Sequence, residues 1–169
     1  MRILAIDPSL RSSGFAVLER PEPKGKIRAL EYGTIQNPAR LATSACLCAI
    51  HERLSGLIET YRPEQCAVEA VIYVQSYRTA IVLGAARGSA LLALAQRQIP
   101  IYEYPPARVK QAVVGRGNAT KDQVAFMIRA LLGLTETPAS DPADALAIGI
   151  AHFQNHDAAG LGIKQLQPL

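Results

Sequence analysis

The hydrophobic pattern of the first 36 residues has the period of β-strands. An apolar run over residues 2–6 ends at Asp7-Pro8, and two further strands are predicted over residues 13–19 and 27–36. Proline and glycine residues lie between the second and third runs and mark a turn. Because the connections are short, the pattern predicts an antiparallel three-stranded meander at the start of the chain.

After residue 40, helices alternate with single strands. Apolar residues at helical spacing predict helices over residues 41–61, 80–98, 105–115, 120–132 and 140–154, and short apolar runs predict strands over residues 66–69 and 99–104. The order β-β-β-α-β-α-β-α-α-α predicts an α/β fold with a five-stranded mixed sheet flanked by helices on both faces. We expect one domain over residues 1–156 and a loose C-terminal tail over residues 157–169.

Composition is typical of a cytoplasmic globular protein. Of the 169 residues, 49% are hydrophobic and 19% are charged, which suffices for a hydrophobic core and differs from disordered chains. The three cysteines have no framework spacing, which argues against a secreted disulfide fold. We find no signal peptide and no apolar run near the ~18–20 residues of a membrane span. We therefore expect a cytoplasmic location without a membrane.

Positive charge is concentrated between the fifth strand and the end of the fourth helix. The whole chain has a formal net charge of +4. Residues 104–130 contain five basic side chains and one acidic side chain, so this segment alone also has a net charge of +4. The basic residues are Arg108, Lys110, Arg116, Lys121 and Arg129. Since a solvated helix face usually mixes both signs, the segment indicates a surface that faces phosphate groups.

Acidic residues end two strands and open the last helix. Asp7 ends the first strand and Glu69 ends the fourth, so parallel pairing of these strands would bring both carboxylates to one edge of the sheet. Asp141 and Asp144 are three residues apart and share a helix face. On their own, these two are typical of a helix N-terminus, where Asp caps the helix and stabilises its dipole. Together, four carboxylates suit magnesium or manganese and can hold two ions ~3.5–4 Å apart.

Five short segments, in this order along the chain, are similar to those of one nuclease family. They are Ile6-Asp7-Pro8, Val68-Glu69 and the segments 83–88, 109–115 and 141–148. The similarity extends over about residues 2–152, which is nearly the whole chain. The chain thus resembles the bacterial crossover (Holliday) junction endodeoxyribonuclease family RuvC, and the resemblance implies a ribonuclease H-like fold.

The resemblance also implies an activity and its machinery. A homodimer would place paired symmetric nicks in a four-way DNA junction by two-metal phosphodiester hydrolysis, in DNA recombination and repair. The cofactor implied is Mg²⁺, two ions per site, which Mn²⁺ can replace, and the partner implied is the RuvA–RuvB branch-migration complex. Lys110 and Lys121 match the lysines near the scissile phosphate, and Lys121 is assigned a catalytic role. The catalytic and metal-binding acids of the family match Asp7, Glu69, Asp141 and Asp144.

The segment after the fourth strand is expected to contact the junction. The family often has an aromatic residue three positions after the glutamate, where this chain has Ile72. Stacking by Tyr73 or Tyr77 is expected instead, worth ~1–3 kcal/mol per base, and packing of Tyr73 inside the protein stays open as an alternative. The predicted DNA-binding set is Ile72, Tyr73, Tyr77, Arg78, Arg108, Lys110, Arg116 and Lys121.

Other features leave alternatives open. Ser9 stands where the family commonly has glycine, which raises the question whether the backbone there needs a positive φ. Gly84 and Gly88 fit close packing either inside the fold or across a dimer axis, and the resemblance favours the interface. His152 and His156 are expected at the end of the last helix, where a positive charge stabilises the dipole.

Two other functions are compatible with the same fold. One is a junction-binding module that has lost the chemistry, which the presence of all four acids argues against. The other is a different phosphotransfer enzyme, such as a ribonuclease, which would recognise 2′-hydroxyl groups. Only the motif match argues against the second.

Overall fold

A computed structural model describes residues 1–23, 25–72, 76–159 and 166–169. In these residues the strands are β1 (Arg2–Asp7), β2 (Ser12–Glu19), β3 (Arg28–Gln36), β4 (Gln65–Glu69) and β5 (Ile101–Tyr104). The helices are α1 (Thr43–Tyr61), α2 (Tyr77–Ala95), α3 (Pro106–Val114), α4 (Lys121–Leu132) and α5 (Ser140–Ala159). The element order is the one that the hydrophobic pattern predicts.

The strands form one mixed sheet in the order β3-β2-β1-β4-β5. Strands β1, β2 and β3 pair antiparallel, whereas β4 lies parallel to both β1 and β5. Ile6 of β1 is opposite Val68 of β4, so the next residues, Asp7 and Glu69, end the two strands side by side. The predicted five-stranded mixed sheet is therefore confirmed.

Helices cover both faces of this sheet. Along β1, Ile3 and Ala5 face a core cluster formed with α3, α4 and α5, while Leu4 and Ile6 face a second cluster formed with α1 and α2. Alternate side chains of a strand point to opposite faces, and here both faces are buried. This double burial explains why β1 reads as a continuous apolar run rather than as an alternating one.

The last helix extends beyond the expected domain boundary. Helix α5 reaches Ala159, and the Asp157 carboxylate accepts two hydrogen bonds of 2.7 Å from the buried guanidinium of Arg20. The Leu169 N–H donates to the Ile101 carbonyl of β5 at 2.9 Å. Residues 157 and 169 are thus held by the fold, whereas residues 160–165 lie outside the described part. The division at residue 156 itself stays a prediction.

Helix α2 differs from expectation in its start and in its hydropathy. It begins at Tyr77 rather than residue 80, because the Ser76 hydroxyl caps it by accepting from the Thr79 N–H at 3.2 Å. An 18-residue window of this 19-residue helix has a mean hydropathy of 1.3, so the helix is long and apolar enough for a membrane span by length and composition, contrary to the sequence prediction. This is a weak indication, since the charged Arg87 lies mid-helix. Only 22% of the apolar window is buried, so the helix has a large uncovered face.

Candidate active site

Asp7 and Glu69 meet at the carboxyl edge of the sheet. Both are half-buried. Burial is the main cause that raises the pKa of Asp7 to about 6, and the nearby carboxylate of Asp144 adds to it. Burial likewise raises the pKa of Glu69 to about 7, with repulsion from Asp7 as the second cause. The two carboxylates therefore share one partly desolvated site, as the strand pattern predicts.

A glycine in β2 lets the start of α5 reach this edge. Gly14 pairs with Asp7 across β1 and β2. A Cβ atom at Gly14 would lie 2.1 Å from the carbonyl oxygen of Asp141, so only glycine permits this approach of α5. The close approach places the first turn of α5 beside Asp7, where Asp141 and Asp144 both contribute to its raised pKa.

The two aspartates of α5 have different hydrogen-bond donors. Asp144 accepts from the Lys121 ammonium at 3.1 Å, and this hydrogen bond raises the pKa of Lys121. Asp141 accepts from the hydroxyl of Ser12 on β2. The Asp141 carboxylate is thus bonded across to the sheet, which corrects the alternative that it only caps its own helix.

Cavities lie on both sides of the carboxylate pair. One, of about 280 Å³, opens towards α2 and is lined in part by Ile72, Leu83 and Arg87. The other, of about 270 Å³, opens towards α3 and α4. Its polar lining consists of Asp7, Glu69, Lys110, Lys121 and Asp144. Acidic and basic groups therefore face one solvent-accessible space, whereas Asp141 is not part of its lining.

The donor set of the site suits a hard divalent cation. Four carboxylates supply only oxygen ligands, and burial together with mutual repulsion, which raise the pKa of Asp7 and Glu69, would be offset by a cation. Among the described residues, no three His, Cys, Asp or Glu side chains are grouped closely enough to hold an ion. Lys121 and Ser12 each hold one aspartate of α5. The Lys121 ammonium therefore competes with a cation for the Asp144 carboxylate.

The predicted basic residues divide into two groups. Lys110 and Lys121 line the cavity, and both lower the pKa of Glu69 against its burial. Arg108 on α3 and Arg116 after it are exposed and do not line the cavity. The structure thus brings the two lysines to the acids and leaves the two arginines on the surface around them.

The segment after β4 is exposed where it is described. Ile72 is 68% exposed at the rim of the cavity beside α2. Tyr77 is 92% exposed at the first residue of α2, and Arg78 is exposed beside it. Tyr73 lies outside the described residues. Ile72, Tyr77 and Arg78 are therefore accessible from solvent on the α2 side of the acids.

The serine at position 9 fits the turn after β1. In the described residues, the non-glycine positions with a positive φ are Arg62 and Gln98, so Ser9 is not among them. The Ser13 hydroxyl accepts from the Ser9 N–H at 3.0 Å and donates to the Ser9 carbonyl. The backbone at this position does not need glycine.

Two polar clusters of the fold have no signal in the local sequence pattern. Arg87 pairs with Glu103 and donates to the main-chain carbonyl of Glu69 at 3.4 Å. His152 is buried, and its ring nitrogens bond the Tyr104 hydroxyl at 2.8 Å and the Gln65 side chain at 2.7 Å. Burial lowers the pKa of His152 to about 4. The expected dipole-stabilising charge on His152 is therefore wrong, because the ring is neutral.

Comparison with known proteins agrees with this geometry. Residues 3–152 match the family described as crossover junction endodeoxyribonuclease RuvC. The protein of that name from Akkermansia muciniphila is 52% identical over 157 residues, which cover 93% of each chain. T. thermophilus RuvC, solved in complex with Holliday junction substrate, has a TM-score of 0.89 at 34% identity, covering 100% of this chain and 99% of that one. The yeast mitochondrial Holliday junction resolvase Ydc2, at 14% identity and a TM-score of 0.60, shares the fold. The chain therefore belongs to the RuvC family of crossover junction endodeoxyribonucleases.

Proposed function

We propose that this chain resolves four-way DNA junctions by hydrolysing phosphodiester bonds at the carboxylate site. Membership of the family makes it an endonuclease, and its relative from T. thermophilus was solved with a Holliday junction substrate. The observation that carries the proposal is the meeting of Asp7, Glu69 and Asp144 with Lys110 and Lys121 around one open cavity. Such a site can hold a cation and also face a phosphate group.

We propose that the four acids hold Mg²⁺, two ions per site, and that Mn²⁺ can replace it. Support comes from the oxygen-only donor set and from the raised pKa values of Asp7 and Glu69, which a cation would reverse. When bound, divalent cations activate a water molecule and stabilise the leaving oxygen. The role of Asp7, Glu69, Asp141 and Asp144 is to bind and orient these ions beside the scissile phosphate.

Lys121 is proposed to stabilise the transition state. Its hydrogen bond to Asp144 raises its pKa, so the ammonium is charged at neutral pH. A cation placed at the phosphate offsets the extra negative charge of the pentavalent transition state. Lys110 is proposed to orient the same phosphate from α3. Hydrolysis leaves a 5′-phosphate and a 3′-hydroxyl.

Binding of the junction is proposed to involve the exposed residues on either side of the acids. Ile72, Tyr77 and Arg78 are accessible on the α2 side, where the tyrosine ring can stack on a base. Arg108 and Arg116 are accessible near α3 and provide phosphate contacts. Tyr73 belongs to the same proposed set by its sequence position alone.

A second copy of the chain is proposed to cover the apolar face of α2. Ile81 is 73% and Leu92 51% exposed on this helix. A Cβ atom added at Gly84 or Gly88 would meet nothing within 4 Å, so the fold of one chain does not need these glycines for packing. Small residues on an exposed apolar helix suit the close approach of a second copy, and an isologous dimer would give two sites for paired nicks.

Two further expectations rest on family membership alone. The RuvA–RuvB branch-migration complex is the proposed partner of the dimer. A cytoplasmic location is proposed on the same basis.

A gel assay with a synthetic mobile four-way junction tests the activity. Purified protein with Mg²⁺ is expected to make paired nicks in the junction and none in a linear duplex of the same sequence, and EDTA is expected to stop the nicking. Tight junction binding without nicks in either Mg²⁺ or Mn²⁺ would favour a module that has lost its chemistry.

Light scattering tests the dimer. The wild-type chain is expected to be dimeric at micromolar concentration, and Ile81→Glu is expected to shift it towards monomer because a charge would be buried in the interface. Phe126→Glu is the matched control, since Phe126 is 57% exposed on α4 and outside the proposed interface. A dimer that tolerates Ile81→Glu as well as the control would contradict this choice of face.

A further inference from the structure

One hydrogen bond of the site involves a residue that no motif includes. Ser12, the first residue of β2, donates its hydroxyl hydrogen to Oδ2 of Asp141 on α5. The direction follows from the chemistry, since an ionised carboxylate can only accept. The two residues are 129 positions apart, so the bond exists only because α5 packs on the sheet.

The backbone holds this pair together. Ser12 and Gly14 are two residues apart on β2 and therefore face the same side of the sheet, the side that α5 covers. At Gly14 the Asp141 backbone lies so close that a Cβ atom would overlap it. Ser12 thus bonds the Asp141 carboxylate at a point where strand and helix are in direct backbone contact.

Asp141 has a neutral hydrogen-bond donor, Ser12, whereas Asp144 has a charged one. Asp144 is bound by the exposed ammonium of Lys121, whose positive charge competes with any cation for the same carboxylate. Ser12 brings no charge. A carboxylate offers about four acceptor positions, so Asp141 can keep Ser12 and still bind an ion.

We propose that Ser12 is a positioning residue that holds the Asp141 carboxylate ready for a divalent cation. The inference rests on the proposed function, because it takes Asp141 as a cation ligand. Hydrogen-bond partners of metal ligands typically change metal affinity or activity by about 10–100-fold, and the one neutral bond of Ser12 is expected at the lower end of that range.

The test is a titration of the protein with Mn²⁺ in the absence of DNA, with free Mn²⁺ measured by electron paramagnetic resonance. Ser12→Ala is expected to bind Mn²⁺ about 10-fold more weakly than wild type, whereas Ser12→Thr, which keeps the hydroxyl, is expected to restore most of the affinity. Ser44→Ala, at an exposed serine of α1, is the matched control and is expected to leave the affinity unchanged. Thermal melting in EDTA shows that each variant folds.

Junction cleavage supplies the second measurement. Ser12→Ala is expected to need about 10-fold more Mn²⁺ for half-maximal nicking, with unchanged junction affinity in EDTA. Wild-type Mn²⁺ affinity in a folded Ser12→Ala protein would overturn the role of Ser12 and leave the nuclease proposal intact. Equal Mn²⁺ affinity of wild type and Asp141→Asn would overturn the assignment of Asp141 as a ligand, and the role of Ser12 with it.

Discussion

The two ends of strand β1 differ in how far their charged groups are neutralised. At the amino end, acidic and basic groups form ion pairs with each other. Arg2 bonds Glu19 at 2.7 Å, Arg20 bonds Asp157 at 2.7 Å, and the terminal ammonium lies 3.7 Å from Glu64. The Arg20 guanidinium also lies 4.9 Å from the ring centroid of Phe153. Charge at this end is neutralised locally, and it serves to join α5 to the sheet.

At the carboxyl end, negative charge is left in excess. Asp7 and Glu69 lie close to the two aspartates of α5, and burial, with repulsion as the second cause, raises the pKa of both strand-end acids. The ion pair of Lys121 with Asp144, at 3.1 Å, and the nearby charge of Lys110 offset this negative charge only in part, since the pKa of Glu69 stays raised. The comparison of the two ends shows that burial of a charge does not by itself indicate function. Like charges that lie together in an open cavity without full compensation do indicate function, because their repulsion lowers stability.

The largest effect is expected from neutralising one acid at the carboxyl end. Asp7→Asn should reduce junction cleavage by more than about 100-fold, because losing a ligand exceeds the loss of a ligand's hydrogen-bond partner. Junction affinity should remain, since the basic surface is unchanged. Glu19→Gln removes an equivalent charge at the amino end and should leave cleavage near wild type. Single-turnover nicking rates measure both, and unchanged cleavage by Asp7→Asn would remove this residue from the site.

The second-largest effect is expected from removing Lys121, whose ammonium bonds Asp144. Lys121→Met is expected to lower the nicking rate by about 10²–10³-fold, the usual range for losing one group that stabilises transition-state charge. Lys26→Met, at another exposed lysine, is the matched control. Rates under saturating protein separate this effect from binding. An equal rate for the two variants would place Lys121 outside the chemistry.

Stability should change in opposite directions at the two ends. In EDTA at pH 8, Asp7→Asn is expected to raise the free energy of unfolding by about 1–3 kcal/mol, because it removes a buried, repelled charge. Arg20→Met should lower it by about 1–3 kcal/mol, since the two hydrogen bonds from the buried guanidinium to Asp157 are lost. Urea denaturation measures both. Destabilisation by Asp7→Asn at this pH would show that the carboxylates do not strain the fold.

The pH dependence of stability and cleavage follows from the raised pKa values of Asp7 and Glu69. The pKa of Asp7 rises from 3.8 to about 6 and that of Glu69 from 4.5 to about 7 on folding. Between pH 4 and pH 7 the folded state therefore holds more protons than the unfolded state, so metal-free stability should fall as the pH rises through this window and level off above it. Cleavage should rise over the upper part of the window, because cations need the ionised acids. A cleavage rate that is flat between pH 5.5 and pH 7.5 would contradict the assignment.

The smallest effect is expected from phosphate contacts around the site. Arg116→Ala should weaken junction binding and reduce the slope of log affinity against log salt by ~0.9, the value for one phosphate contact. Arg62→Ala, at an exposed arginine that ends α1, should not change the slope. Fluorescence anisotropy with a labelled junction in EDTA measures these slopes. Equal slopes for the two variants would remove Arg116 from the DNA surface.

Local patterns in the sequence were sufficient for the elements and for one half of the site. The periods of apolar residues predict every described strand and helix, and they place Asp7 and Glu69 at strand ends. Because β1 and β4 pair in parallel, the two acids lie side by side at one edge of the sheet. The capping box of Thr120 and Gln123 likewise sets the start of α4, and with it the position of Lys121.

The other half of the site depends on contacts between distant segments. Ser12 meets Asp141 across 129 positions, and Gly14 reads in the sequence as an ordinary strand residue, although its missing side chain lets α5 dock. His152 is neutral because packing of α5 buries it, and its ring nitrogens bond Tyr104 and Gln65, which lie 48 and 87 positions away. The elements and the strand-end acids can be predicted from the sequence, because they follow from neighbours along the chain. Which donor bonds each acid and which charges are neutralised depend on packing between elements, so these features appear only in the folded structure.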